Sequence, residues 1–271
     1  LSAIANKHMK NLFQILCIPA GIMLVIACGQ NTTAPAPVAP LSVKMESFQY
    51  KKCVRDSLCA TLDFTYPVLS GGKNAAAVQT INDSLTAFVK MMAWTEPKSD
   101  LKTTLDSAGF DMYKMLLESE IAPEYAMPYT NELRSKVILQ NTKYLSVQMD
   151  NYSFMGGAHG NYGTGLNTFD LNTGKYLALT EIIADTNAIR PMLEKAFIEE
   201  KKEPGESPKL ADLVFPEFKQ LPMPMQWCVV PEGVRFIYNP YEIAAYALGQ
   251  TDITLTWAQL GSLADQKKWL E

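Results

Sequence analysis

The stretch NYSFMGGAHGNYGTG, residues 151–165, sets five glycines around His159, one of only two histidines in the 271-residue chain. A loop imidazole acts as a general base when a carboxylate orients it, and Asp150 and Asp170 are the nearby candidates. The other chemistries that glycine-rich loops serve fail on spacing. A phosphate-binding loop needs lysine and a hydroxyl directly after its last glycine, whereas Leu166 and Asn167 follow Gly165. A dinucleotide fingerprint runs G-x-G-x-x-G from a strand into a helix; here the order is Gly160, Gly163, Gly165, and a strand pattern follows. Neither a G-x-S-x-G nucleophile elbow nor an H-E-x-x-H zinc helix occurs.

The simpler reading is architectural. Gly156, Gly157 and Gly160 admit positive φ and close backbone approach, His159 pins a carbonyl, and Asn161 and Tyr162 add polar and aromatic contact. These six residues form the candidate binding loop, and no catalytic residue is assigned. The alternative is a wall-active hydrolase in which His159 works with Asp150 or Asp170.

Five cysteines bear on compartment. Cys53 and Cys59, in KKCVRDSLCATLDF, are close enough to close a small loop in an oxidising compartment. A zinc site needs about four ligands, more than one loop histidine and a leftover Cys228 supply. The expectation is a Cys53–Cys59 disulfide, a buried Cys228 thiol, and no metal or cofactor.

Lys7 and Lys10 precede the apolar run LFQILCIPAGIMLVIAC, which ends Val25-Ile26-Ala27-Cys28. A basic start, an apolar centre and small residues before a cut mark a secretory signal, residues 1–27. The lipobox pattern makes Cys28 the acylated N-terminus, carrying chains such as palmitate. The run of about 17 residues, broken by Pro19 and Gly21, is marginal for a membrane span of about 30 Å. Met9-Lys10 reads as the true start, with residues 1–8 an over-extended one. The proline–alanine segment 28–41 then reads as an extended tether. With no aspartate after Cys28, the anchor is expected in the outer membrane.

The net charge of −4 becomes −6 once Lys7 and Lys10 leave with the signal. Without a lysine or arginine block, nucleic acid is a poor partner, while a cationic protein suits the charge.

Around these candidates, periodicity outlines the elements that must hold them. TLDFTYP alternates as a half-buried strand stopped by Pro67, and SVKMESFQYKK pairs with it through a bulge between Met45 and Phe48. Val78, Ile81, Leu85, Phe88 and Met92 make one helix face, and a second helix runs from Asp100 to Glu118 through Leu101, Leu105, Ala108, Met112 and Met115, weakened by Gly109. Strands return at ELRSKVILQ, KYLSVQMDNYSF and GLNTFDLNTGKYLAL. A helix follows through Ile189, Leu193 and Phe197, capped by Thr186 with Pro191 in its first turn. A hairpin about Pro231-Glu232-Gly233 and a last strand, DITLTW, complete the pattern. The reading is α+β: antiparallel sheets with helices packed on one side, over about residues 42–265, long enough for one large or two small domains.

YSFMGGAHGNYGTGLNTFDLNTGKYLALTEII resembles the junction between a PdaC-type domain and an RsiV-type C-terminal domain of unknown function, which implies two closely associated subdomains, 42–155 and 156–265. VPEGVRFIYNPYEIAAYALGQTDITLTWAQL is similar to that family's C-terminal end, and CVRDSLCATLDFTYP to the N-terminal strand of its lipoprotein members. The resemblance implies an extracytoplasmic domain found in a lysozyme-sensing anti-sigma factor, beside some peptidoglycan deacetylase domains, and as stand-alone lipoproteins. No sigma-binding segment precedes the signal here and no deacetylase domain accompanies it, so neither activity is carried over. The implied role is a lipid-anchored envelope protein without its own catalysis, binding a cell-wall glycan or a protein such as a lysozyme. A purely structural envelope lipoprotein is the remaining alternative.

Overall fold

The computed structural model describes residues 39–119 and 125–271. The expected signal peptide, the acylated Cys28 and residues 28–38 of the tether lie outside the described residues. Residues 39–41, the last of that expected tether, are docked: Gly72 N–H donates to Ala39 O at 2.9 Å, and Gln140 Nε2 to Leu41 O at 3.3 Å.

The first sheet is built of β1 (Ser42–Arg55), β2 (Leu58–Ser70), β3 (Tyr129–Gln140), β4 (Tyr144–Phe154) and β5 (Asn161–Asp170), hydrogen-bonded in that order. The β1–β2 hairpin runs in unbroken register from Ser42↔Ser70 to Cys53↔Cys59, so the bulge expected between Met45 and Phe48 is absent. Glu46, Phe48 and Tyr50 share the half-buried phase, and Met45 points to solvent. Nor does Pro67 end β2, which continues to Ser70. Pairing with β3 stops at Thr65↔Arg134, so on that side the missing proline N–H removes no ladder bond.

One pairing departs from the antiparallel expectation: β2 and β3 run parallel. The crossover between them holds α1 (Ala75–Met92) and α2 (Leu101–Leu117), which return the chain to the end where β2 began. Asn74 caps α1 by accepting from Ala76 and Ala77 N–H, and Asp100 caps α2 by accepting from Thr103 N–H. Val78, Ile81, Leu85 and Val89 of α1 and Leu105, Ala108, Met112 and Leu116 of α2 are buried against Leu62, Phe64, Leu133, Leu145, Val147 and Phe169. Met115 was expected on this stripe, but Leu116 takes the place and leaves Met115 53 % exposed. Gly109 is no simple weakness in α2. A Cβ there would lie 2.3 Å from the Tyr50 ring, so the glycine admits the β1 tyrosine.

The second sheet comprises β6 (Gln226–Val230), β7 (Gly233–Tyr238) and β8 (Thr251–Thr256), all antiparallel. Alternation along β7 decides what lies on each side. Val234, Phe236 and Tyr238 join the core made with Ile189, Leu193 and Phe197 of a long helix, while Ile237 joins Cys228, Val230 and Leu166 of β5. That helix is α4 (Thr186–Lys201), preceded by a single turn, α3 (Leu179–Ile182). Asp185 rather than Thr186 caps α4, which sets Pro191 beyond the first turn. The last turns are α5 (Leu210–Leu213), α6 (Trp257–Leu260) and α7 (Gln266–Leu270). The layers therefore run helices, first sheet, second sheet, helices.

β5 was expected to open the second subdomain, yet it is the fifth strand of the first sheet. The glycine turn after Phe154 folds it straight back onto β4, so the sheet boundary falls after Asp170 rather than at residue 155. No helix among the described residues is long and apolar enough to cross a membrane.

Cys53 and Cys59 form the disulfide anticipated from their spacing, tying the β1–β2 hairpin beside its turn. Closing so short a loop restricts the unfolded chain by about 2 kcal/mol. Replacing both by serine is expected to lower unfolding free energy by that amount in denaturant titration. Cys228 is fully buried, and burial pushes its thiol up to about 12. Native protein at pH 8 is therefore expected to leave this thiol unlabelled by a disulfide reagent, with labelling only after denaturation.

Candidate binding surface at the glycine turn

The candidate loop connects β4 to β5. Gly156 and Gly157 take φ of 88° and 95°, the left-handed region that makes two successive glycines useful here. Gly160 serves differently: a Cβ there would fall 2.6 Å from the ring of Tyr152, which packs over it. Tyr152 stands directly across from Tyr162 in the β4–β5 ladder.

His159 is exposed and lies flat on Tyr246, with ring centroids 3.8 Å apart and planes 15° apart. Its Nδ1 is 3.0 Å from Gly160 O, which also accepts the Tyr246 hydroxyl at 2.7 Å. One carbonyl thus fixes both rings. Tyr162 meets Tyr246 edge-on at 5.8 Å, and Tyr241 lies tilted at 5.5 Å. Desolvation, then the neighbouring hydroxyls of Tyr162, Tyr152 and Tyr241, raise the Tyr246 phenol above its ordinary value, so it stays a neutral donor. Tyr152, Tyr162 and Tyr241 remain 42 %, 38 % and 55 % exposed. The result is an aromatic shelf open to solvent.

Neither candidate carboxylate is placed to orient His159. Asp150 accepts from Gln148 Nε2 and from Thr164 Oγ1, at 2.7 Å each to Oδ1. It pairs with Thr164, three residues along β5 from Asn161 and so about 10 Å up the strand. Asp170 caps the next turn, accepting from Asn172 N–H at 2.6 Å. It stands at the opposite end of β5, about 30 Å from Asn161. The geometry joins His159 to tyrosines and a carbonyl. Among the described residues no cluster of His, Cys, Asp and Glu could hold a metal ion.

Beside the shelf lies a shallow depression of about 280 Å³, with Glu132, Arg134, Asp150 and Gln250 between the two cross-strand tyrosines and the second sheet. Arg134 is held by Asp63, its Nη2 2.6 Å from Oδ2. Ionic and amide groups therefore face solvent next to flat aromatic rings.

Sequence reasoning missed Tyr152, Tyr241, Tyr246, Asn239 and Gln250. The last four all sit in NPYEIAAYALGQ, between β7 and β8, where no periodicity marks them. Asn239 joins the two sheets. Its carboxamide accepts from Thr164 N–H at 2.7 Å and donates to Thr164 O at 3.1 Å, as a neighbouring strand would. Gln226 Oε1 accepts the next edge donor, Leu166 N–H, at 3.1 Å. Glu242 in turn takes the Asn239 N–H at 2.9 Å. Between them Tyr241 adopts φ of 66°, uncommon for a bulky side chain.

Truncating Asn239 would leave the N–H of buried Thr164 unpaired, a loss of about 1–3 kcal/mol. Asn239→Ala is expected to lower unfolding free energy by that range and to speed hydrogen exchange at Thr164. Unchanged exchange there would show that the side chain does not carry the edge.

Comparison with known proteins places these elements. Residues 53–162 match the family model described as Deacetylase PdaC, and residues 179–258 match that of a protein of unknown function, DUF3298. No curated protein matches the chain. A DUF3298-family crystal structure from Bacteroides fragilis superposes with a TM-score of 0.65 at 17 % identity, covering 83 % of this chain and 94 % of that one. A second, from Pseudomonas aeruginosa, gives 0.58 at 18 % identity, covering 84 % and 95 %. At such identity the likeness is one of fold. The chain is thus similar to a PdaC region followed by a DUF3298 region, with the glycine turn inside the last ten residues of the first match.

Proposed function

We propose that the protein is a lipid-anchored envelope protein that binds cell-wall glycan without catalysing a reaction on it. The observation that carries this reading is the exposed shelf of His159, Tyr162, Tyr241 and Tyr246 bordered by Tyr152. Saccharide rings present an apolar C–H face and a rim of hydroxyls. Flat aromatic rings accept the first, and carboxylate and amide groups such as Glu132 and Gln250 accept the second. The reading without catalysis rests on His159 engaging a carbonyl and a phenol rather than Asp150 or Asp170. Anchoring through Cys28, on the outer membrane, would keep this surface beside the wall.

A second reading, a cationic protein partner such as a lysozyme, is favoured by the net charge of −4. The two differ in salt response. Stacking on neutral sugar changes little with ionic strength, whereas charge-steered protein association weakens steeply.

Co-sedimentation of the full-length chain with purified, protein-free cell walls tests the proposal. Wild type is expected to sediment in both low and high salt. Tyr162→Ala and His159→Ala, folded by circular dichroism, are expected to lose about tenfold in affinity, roughly 1.4 kcal/mol. Equal sedimentation of wild type and variants, or none by wild type, would overturn it.

A further inference from the structure

The opposite end of the first sheet holds a different cavity, of about 350 Å³, which the glycan reading does not use. Leu41, Val78 and Leu171 make its walls. Its rim comes from the α1 entry and the turns beside β4 and β5, including Lys73, Thr142 and Asn172. Lys73 is the one charged residue among those lining it. Most rim groups are already engaged. Asn141 Oδ1 accepts from Lys143 and Tyr144 N–H while its Nδ2 reaches Trp269 O, and Asn172 O accepts from Asn74 Nδ2. Lys73 is exposed and carries no acidic partner in any ion pair of the described residues. The first turn of α1, which begins two residues later, contains no acid either. A cation outside every described ion pair thus stands at the mouth of an apolar chamber, beside a helix start that Asn74 already caps.

From this combination we infer that the cavity binds a small amphipathic anion, an apolar tail within and one anionic head at Lys73. At about 30 Å³ for each water-sized group, the chamber admits about ten to twelve non-hydrogen atoms. That is the size of a medium-chain carboxylate. The tail meets Leu41, Val78 and Leu171, and the Lys73 ammonium supplies the charge. A neutral or cationic amphiphile of equal length gains the apolar contact without the ion pair.

The test uses the full-length chain and decanoate, followed by amide chemical shifts, with butyrate and decyltrimethylammonium as comparison probes. Decanoate is expected to saturate one site and to move Gly72, Val78 and Leu171, with both comparison probes weaker. Lys73→Gln, at an exposed position, is expected to weaken decanoate roughly threefold, the scale of an exposed ion pair. Leu171→Trp should fill the chamber and abolish saturation. A further arm distinguishes sources. Lys73-dependent flotation with phosphatidylglycerol vesicles would assign the site to a bilayer lipid, and its absence to a free acid. Lack of saturable binding, shifts confined to other surfaces, or equal affinity for the cationic probe would overturn the inference. Since the wall-binding shelf lies about 30 Å away along β5, failure here leaves that reading standing.

Discussion

A carboxamide standing in for a strand holds this molecule together. Thr164 lies on the outermost strand of the first sheet, where backbone groups have no ladder neighbour. Asn239 answers both its N–H and its C=O, so the edge ends in a side chain from the segment after β7. An open sheet edge is a hazard that proteins manage by covering or interrupting it. Here the cover is also the joint between the two sheets. Gln250 reinforces it by donating to Asn239 Oδ1 at 2.9 Å and to Thr164 Oγ1 at 3.1 Å.

The aromatic shelf inherits its position from that joint. Tyr152 and Tyr162 come from β4 and β5, whereas Tyr241 and Tyr246 come from the segment that supplies Asn239. Between the sheets, buried polar groups are matched rather than avoided. Ser146 and Thr168 hydroxyls lie 2.9 Å apart, and Thr168 Oγ1 also accepts Val229 N–H. Arg235 bridges to Gln148 Oε1 at 2.7 Å and to the Asp252 carboxylate. Such satisfied networks specify one docking geometry, because any shift strands several partners in low dielectric.

How much of this the sequence could announce depended on range. Val78, Ile81 and Leu85 declared α1 by spacing alone, and the alternation of Ile253 and Leu255 in DITLTW declared the inner face of β8. The Cys53–Cys59 pair was legible because it closes locally. The parallel β2–β3 pairing was not, since a two-helix crossover and two hairpins produce the same alternation of elements. Within the loop, the glycines marked the turn and His159 its tip, but the partner ring Tyr246 is 87 residues farther on. Nothing in local periodicity reports a stack across that distance. Gly109 was misread for the same reason: its helix-weakening propensity is local, while the Tyr50 ring that requires it arrives from β1.

The Asn239 cap also sets an order of assembly. The side chain that closes the β5 edge, Asn239, comes 75 residues after Thr164. At about 5–20 residues per second, a growing chain takes about 4 to 15 s to make them. The β4–β5 hairpin, joined by a short turn, forms in microseconds. During synthesis the β4–β5 hairpin therefore presents a bare strand edge for a period that exceeds its own closing time by orders of magnitude. A second nascent chain, or a chaperone that recognises extended backbone, has that interval in which to pair with β5. The edge left open to misassembly during synthesis is thus the same one that, once capped, unites the two sheets.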